Sequence, residues 1–292
     1  MNLKHKILNL ITFGAYKRRK RPSRLDTYAK DLRELTLNYQ SQQIKNNHKN
    51  PLNKYGNKCF SQTDEDGITI EILKRIGSLQ NGSFAEFGPG DGMENNTLIL
   101  KSLGWKGFWI GGENIIIDYK KNENFSFYKE FITLKNISQL ALKGLSDINC
   151  NEIDVISLDL DGNDLYIAEE LLNNNFKPKL FIAEYNSKFP PPIKWSIKYN
   201  EKHVWDGSDY YGASLTSFNE LFQKNGYFLA CCNSHTGSNA FFVKNVFKNF
   251  FEDIPKDVND IYVPPRYFLH NVYGSSSYGH PQSLETINKL FS

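Results

Sequence analysis

The sequence predicts an α/β protein built on a doubly wound, mostly parallel sheet behind a basic helical extension, and three observations carry that reading. Residues 83–92 read S-F-A-E-F-G-P-G-D-G, an apolar run that ends in an acid and then in glycines at every second position, Gly88, Gly90 and Gly92. Further short apolar runs, at 108–111, 154–160 and 180–183, alternate with amphipathic stretches, as strands do with crossover helices in a parallel sheet. Two of these runs close in acids and amides, at 159–164 and 184–186, and the carboxyl ends of parallel strands are where such sheets line a ligand crevice.

Bulk properties narrow the class. A chain of 292 residues with 40% hydrophobic content can bury one large core, or one core and an appendage. No apolar stretch approaches the roughly 20 residues that cross a bilayer. Residues 1–15 mix lysines with a short apolar segment, but Asn9 and Thr12 interrupt it, and Lys17-Arg18-Arg19-Lys20-Arg21 stands where a signal peptide would carry small residues. Cys59, Cys150, Cys231 and Cys232 form no C-x-x-C pair, which argues against a disulfide framework or a zinc ribbon and for a reducing cytoplasm. Residues 1–50 carry twelve Lys and Arg against three Asp and Glu, a net of +9, and the remainder of the chain balances this with −6. Head and body therefore differ in partners or in role.

Taken in order, the elements follow. Leu3, Ile7, Leu10 and Ile11 share one helical face ahead of the basic run, so residues 1–24 are either a peripheral anchor at the inner membrane surface or a solvated basic terminus. Nucleic acid is not an expected partner, because aromatic residues are not interleaved with that run. Leu25, Tyr28, Leu32, Leu35 and Tyr39 step by three and four, predicting a helix whose apolar stripe packs on the body or on a second copy in a homodimer. Residues 40–57, rich in Asn, Gln and Lys, read as a linker. The domain layout expected is an extension and linker over 1–55, the main domain over 56–245, and a tail packed on it over 246–292. At 60–67, F-S-Q-T-D-E-D-G opens a helix with Ile68, Ile72 and Ile76 on its buried face. Its acids cap that helix, or Ser61, Gln62 and Glu65 reach back to a ligand.

The run 83–87 is a buried strand, 88–92 a tight loop whose glycines let backbone approach a ligand, and 95–103 a helix. A second strand ends in Ile110-Gly111-Gly112-Glu113, and Glu113 is the candidate for the ribose hydroxyls that an acid takes at this place in nucleotide-binding sheets. A third strand is expected in 125–132 and a helix over 136–146. In 154–164 an apolar strand ends in Asp159, Asp161, Asn163 and Asp164. These, with Glu170, mimic the ligand positions of a calcium loop, but the glycine is misplaced and a strand precedes it. Either these acids cap the next helix or they serve the site. Neighbouring strand ends lie roughly 5 Å apart, so Asp161 with Glu184 and Asn186 makes an oxygen set for a hard cation such as Mg2+. Residues 185–212 form a long loop rich in aromatics, Tyr185, Phe189, Trp195, Tyr199, Trp205, Tyr210 and Tyr211. It reads as a lid over an acceptor with His203, Asp206 and Asp209 as titratable groups. An amphipathic helix over 214–225 and a hairpin of 227–232 with 239–243 complete the domain.

The set F-S-Q-x-x-E-D-G-I, A-E-F-G-P-G-D-G with N-N-T, G-W-K-G, I-S-L-D-L-D-G-N-D, I-A-E-Y-N, W-D-G-S-D-Y-Y-G-A-S-L and N-A-F-F-V resembles the FkbM-like branch of class I S-adenosylmethionine-dependent methyltransferases, over about residues 55 to 245. The resemblance implies a Rossmann-like sheet of six parallel strands and one antiparallel, and O-methylation of a sugar, a surface-polysaccharide precursor or a natural product. It also implies that Glu86, Gly88, Gly90 and Gly92 cradle the methionine part of S-adenosylmethionine, with Gln62 and Asn95 as further contacts. Asp159 and Asp161 would stand beside the reacting methyl, and Asp159, Asp161 and His203 are the catalytic candidates. The chain departs from the pattern at Gly111, where relatives carry the ribose acid, so Glu113 serves only if the loop bulges at Gly111-Gly112. Met93 occupies the place of the third glycine of G-x-G-x-x-G, which disfavours the remaining enzyme class, a nicotinamide-linked sugar enzyme. A degenerate nucleotide-binding scaffold in polysaccharide assembly is the non-enzymatic alternative.

Overall fold

The computed structural model describes residues 24–116, 123–265 and 280–291. Residues 1–23, and with them the candidate membrane anchor, lie outside the described residues. The chain divides into two compact units, 1–41 and 42–292. In the first, the described residues begin helix α1 (Arg24–Asn47), and the expected stripe is present on it, with Tyr28, Leu32, Leu35 and Tyr39 exposed.

The second unit holds the sheet. Its strands are β1 (Ser83–Phe87), β2 (Lys106–Gly111), β3 (Phe125–Lys129), β4 (Val155–Leu158), β5 (Leu180–Glu184), β6 (Tyr227–Cys232) and β7 (Asn239–Lys244). Their order in the sheet is β3-β2-β1-β4-β5-β7-β6. β1 to β5 pair in parallel, while β7 runs antiparallel to both β5 and β6. This is the Rossmann-like arrangement expected, with six strands one way and one the other.

Alternation along each strand makes two layers, since successive side chains leave opposite faces. Phe87, Phe108, Ile156, Leu158, Phe181 and Ala183 enter one core with helices α4 (Ile137–Asp147), α5 (Asp164–Asn173) and α6 (Leu215–Lys224). Phe84, Trp109, Val155, Leu180, Ile182 and Phe241 enter the other, against Ile68, Ile72 and Leu73 of α2 (Glu65–Arg75) and Leu100 of α3 (Leu98–Ser102). Both faces of the central strands are covered, which is why they read as unbroken apolar runs.

The expected linker over 40–57 is instead structure. α1 continues to Asn47, and a 3-10 turn (Pro51–Tyr55) follows with Leu52 and Asn53 buried. The amides of Asn50 and Asn53 donate to Ala230 O (2.7 Å) and Cys232 O (2.8 Å) of edge strand β6. A polar, Asn-rich composition marked a flexible tether locally, but these amides are spent sealing a sheet edge. At the other end of the chain a 3-10 turn (Asn245–Phe251) and α7 (Val258–Ile261) bury Phe251, Ile261 and Val263 against the same unit. The final helix, α8, spans Pro281–Phe291.

Candidate functional site

Register brings the site together. Phe87 pairs with Leu158 and Leu158 with Ala183, so Gly88, Asp159 and Glu184 stand level at the carboxyl edge of three adjacent parallel strands. Asp159 N donates to Phe87 O at 3.0 Å and Gly88 N to Ile110 O at 2.8 Å, which extends the ladder past the last strand residue. A Cβ on Gly88 would lie 1.6 Å from Asp159 O, and its φ is +88°, so the approach of these two strand ends requires glycine. Gly90 and Gly92 also have positive φ, and a Cβ on Gly90 would meet nothing within 4 Å, leaving that backbone open to a ligand.

The carboxylate of Glu86 binds the turn that follows the loop. It accepts from Asn96 N (3.1 Å), Thr97 N (3.2 Å) and Thr97 Oγ1 (2.6 Å) at the start of α3, and burial pushes it up to about 7 against the pull of those donors. It holds the loop-to-helix turn, with its oxygens committed to that turn. Asn95 donates from Nδ2 to Pro89 O at 2.9 Å.

Of the acids after β4, the cap and the site are separated. Asp164 is the structural one: it accepts from Leu160 N (2.7 Å) and Gly162 N (2.9 Å), closes the loop on itself, and is raised by burial to about 6. No side chain caps α5 from Asn163, so the capping alternative for Asp159 and Asp161 does not hold. Those two remain available, and with Glu184 they place carboxylate oxygens within 4.8 Å of one another. Burial first raises the Asp159 and Glu184 carboxyls, which share a hydrogen bond; after it the charges of Asp161 and Asp164 raise Asp159, and those of Asp159, Asp161 and Asp164 raise Glu184. Asp161 is raised by desolvation and by Glu113, with His203 opposing. Asp161 adopts φ +53°, a strained conformation for a non-glycine residue that the loop must over-determine.

Asn186 does not join this set as expected. Its Nδ2 donates to Asp209 O (2.9 Å) and Tyr211 O (3.0 Å), and its Oδ1 accepts from Lys188 N (3.2 Å). The amide holds the lid loop, and Asp159 takes its place beside Asp161 and Glu184.

The lid, residues 185–212, is pinned to the β4 loop by reciprocal bonds of Asn163 with Asn200 and by Gly212 N to Gly162 O (3.0 Å). Most of its aromatics pack on one another or on the body: Phe189 stacks on Trp195 at 4.1 Å, Tyr199 meets Tyr166 and Trp195 meets Tyr210. Trp205 is the one of the seven that lines a cavity over the strand ends, so the expected aromatic canopy is mainly internal packing. Asp209, expected as a titratable lid group, is buried and accepts from Gln282 N, Ser283 N and Ser283 Oγ at the start of α8. Asp206 accepts from Ser208 N and is exposed. His203 lies with its ring on Gly162, where a Cβ would meet Cδ2 at 2.3 Å, and its Nε2 is buried without a partner.

Two cavities meet along Gly88, Gly90, Asp159 and Asp161. The larger, about 370 Å³, is walled by Gly111 to Glu113, Phe131, Ile132, His203 and Trp205. The smaller, about 290 Å³, is walled by Gln62, Glu86, Asn95, Asn96 and Asn239. Glu113 thus reaches the site although β2 ends two residues earlier. Gly111 is glycine for a steric reason, since a Cβ there would sit 2.7 Å from Pro89 Cδ. Ser61 and Glu65 do not line either cavity, and of the F-S-Q-T-D-E-D stretch Gln62 alone does. The acids instead clamp neighbouring chain. Asp66 accepts from the backbone of Cys59, Phe60 and Ser61, Asp64 from Ser234 and His235, and Glu65 from Thr63, Asn233 and Asn239. Asn239 is a cavity-lining residue that local reading missed. A polar residue opening the last strand opposite Glu184 was the available signal for Asn239.

No family model matches the sequence, and no curated protein matches it. Among solved structures the chain is similar to magnesium protoporphyrin IX methyltransferase from Synechocystis PCC 6803, crystallised with bound SAH, at 12% identity and TM-score 0.35 over 65% of this chain and 90% of that one. It is similar to a Lactococcus lactis protein provisionally named a hemolysin, at 11% identity and TM-score 0.37 over 64% and 90% of the two chains. It is also similar to an O-methyltransferase family protein from Burkholderia thailandensis, at 9% identity and TM-score 0.35 over 82% and 70%. At these scores the likeness carries no weight beyond the sheet topology described above, and the site must speak for the activity.

Proposed function

We propose that the protein is an S-adenosylmethionine-dependent O-methyltransferase acting on a hydroxyl of a sugar, a surface-polysaccharide precursor or a related natural product. The observation that carries this reading is the pair of cavities joined beneath the glycine loop at Asp159 and Asp161. Such a shape suits a ligand with a nucleoside at one end, an aminoacyl chain at the other and its reactive centre at the junction. On this reading Glu113, on the wall of the larger cavity, takes the ribose hydroxyls, the open backbone at Gly90 allows close approach, and Gln62 and Asn95, on the wall of the smaller one, take the aminoacyl end. The chemistry S-adenosylmethionine supplies when bound is a methyl group on a sulfonium, already activated for in-line transfer.

What is left to the protein is alignment and removal of the acceptor proton. His203 lines the larger cavity beside Asp161, and its Nε2, packed on Gly162, has no hydrogen-bond partner. That nitrogen takes the hydroxyl proton, and the Asp161 carboxylate stabilises the imidazolium so formed. Trp205 and Val204 complete the same wall. Replacing His203 by Gln should lower turnover by about 10²- to 10⁴-fold, with S-adenosylhomocysteine affinity nearly unchanged.

The three carboxylates within 4.8 Å favour a second component, a hard divalent cation such as Mg2+ held by Asp159, Asp161 and Glu184. The chemistry such a cation supplies is a lower pKa for a bound hydroxyl. Activity that falls on exhaustive chelation and returns with Mg2+ supports it, and activity indifferent to chelation removes it. The reading as a whole is tested by calorimetric titration of the full chain with S-adenosylhomocysteine. Micromolar binding is expected, and silence would leave the scaffold reading in its place.

A further inference from the structure

In the first unit, helix α1 carries a stripe that no described residue covers. Tyr28, Leu32, Leu35 and Tyr39 are each between 64% and 69% exposed. At 100° per residue the four lie within about 60° of arc, and the sequence carries the same alternation of threes and fours back to Leu25. So narrow a line, repeating every 3.5 residues, is the seam of a two-helix coiled coil; a helix lying on a globular core shows a broader face. Ile44, in the last turn of α1, packs on the core of the second unit. It stands about 160° round the helix from Tyr28, so the turn that does pack uses the other side.

The stripe reads the same in both directions, Tyr, Leu, Leu, Tyr at spacings of four, three and four. A two-fold axis between Leu32 and Leu35 lays Leu32 of one copy on Leu35 of the other, and Tyr28 on Tyr39. That is the self-complementarity an isologous contact requires. We infer that α1 pairs antiparallel with α1 of a second copy of this chain. Charge selects both direction and partner. A parallel pair brings together the two basic runs at 17–21, five consecutive Lys and Arg ahead of α1 in each copy, whereas an antiparallel pair sets them at opposite ends. Of the exposed residues beside the seam, Asp31, Thr36 and Asn38, one is charged, and the same two-fold puts it next to Thr36 and Asn38 of the other copy. A lipid surface is the poorer partner, because residues 25–40 hold two Lys and Arg against three Asp and Glu, where an interfacial helix carries a basic polar face. Eight side chains make a contact at the low end of interface sizes, under about 1,200 Å² in total. The dimer is therefore weak and concentration-dependent, and it stands independently of the methyl transfer proposed above.

The test is sedimentation velocity of the full chain at high salt, which screens the basic run. The average mass should rise from one copy toward two across about 1–100 μM. Leu32→Asp and Leu35→Asp each bury a charge in the paired seam and should weaken association at least about 10-fold, with the thermal midpoint of the dilute protein unchanged. Both positions are exposed in the single chain, so folding is not at stake, and Leu35→Ser serves as a milder second variant. Direction is read by oxidative cross-linking in a Cys59→Ser background, which removes the exposed native thiol. Tyr28→Cys mixed with Tyr39→Cys should cross-link faster than either variant alone. A single-copy mass at every concentration overturns the pairing. A dimer untouched by both aspartates places the contact elsewhere and overturns the role of α1, and faster self-cross-linking at 28 or 39 overturns the antiparallel arrangement. Anionic vesicles that capture the wild type but not Leu35→Asp would assign the stripe to lipid and overturn it equally.

Discussion

Gly88 and Gly90 share a positive φ and differ in what surrounds them, so they separate backbone strain from close approach. Alanine at 88 must push Asp159 O from 1.6 Å, against two paired strand ends that cannot both yield. A loss of about 3 kcal/mol or more is expected in denaturant unfolding. Alanine at 90 meets open space and should cost about 1 kcal/mol, yet it puts a methyl where the two cavities join, so S-adenosylhomocysteine binding should suffer more than stability. Glu86 makes a pH prediction. Its folded-state pKa of about 7 exceeds the ordinary 4.5, so the native state keeps a proton that the unfolded chain has released between those values. Stability therefore falls as pH rises through that window, by about 3 kcal/mol from this group. Thermal midpoints of wild type should drop between pH 5 and pH 7.5 by more than those of Glu86→Gln, since Gln cannot titrate; parallel curves would show that Glu86 is not the group responsible.

At the scale of elements, long-range side-chain bonds to backbone finish what hydrophobic packing begins. Strand β6 is the edge of the sheet, and an uncovered edge is a template for pairing with other chains. Asn50 and Asn53 close it, so Asn53→Ala should leave Cys232 O without its buried donor and cost about 1–3 kcal/mol, read as a shifted denaturant midpoint. At the opposite end of the chain, Asp209 caps α8 from the lid. With Asp209→Ala, amides of Gln282 and Ser283 lose their acceptor, and hydrogen exchange across 282–290 should accelerate while α5 and α6 keep their protection. Unchanged exchange in α8 would show that its hydrophobic side, not the cap, holds it. Because the same Asp209 carbonyl accepts from Asn186, lid and final helix are anchored at one residue.

Across the whole molecule, the charge divides with the chain: a strongly basic head and an acidic remainder. If residues 1–24 form an anchor, the full chain should sediment with anionic vesicles at low salt and a chain lacking them should not; equal behaviour of the two assigns the basic run to solvent. None of the described helices is long and apolar enough to cross a membrane. Much of the sheet was legible beforehand because strands buried on both faces must be apolar throughout, and because glycine is the residue that serves where backbones nearly touch. The boundaries of β1, β6 and α6 follow from such local patterns. The Asn-rich segment at 40–57 and the aromatic lid were misread because composition reports what a residue can do, not the partner it finds. Asn50 finds Ala230, 180 positions away.

The sequence by itself determined the alternation of strands and helices, the glycine loop and the edge where ligands are received, since each rests on short-range periodicity or on sterics at one backbone position. Only the tertiary structure decided which acids are free for chemistry. Glu65, Glu86, Asp66, Asp164 and Asp209 are taken up by N–H groups brought to them by folding, and Asp159, Asp161 and Glu184 are left facing the cavities or one another. A carboxylate carries no local mark of which it will be, because the donors that claim it arrive from elsewhere in the chain.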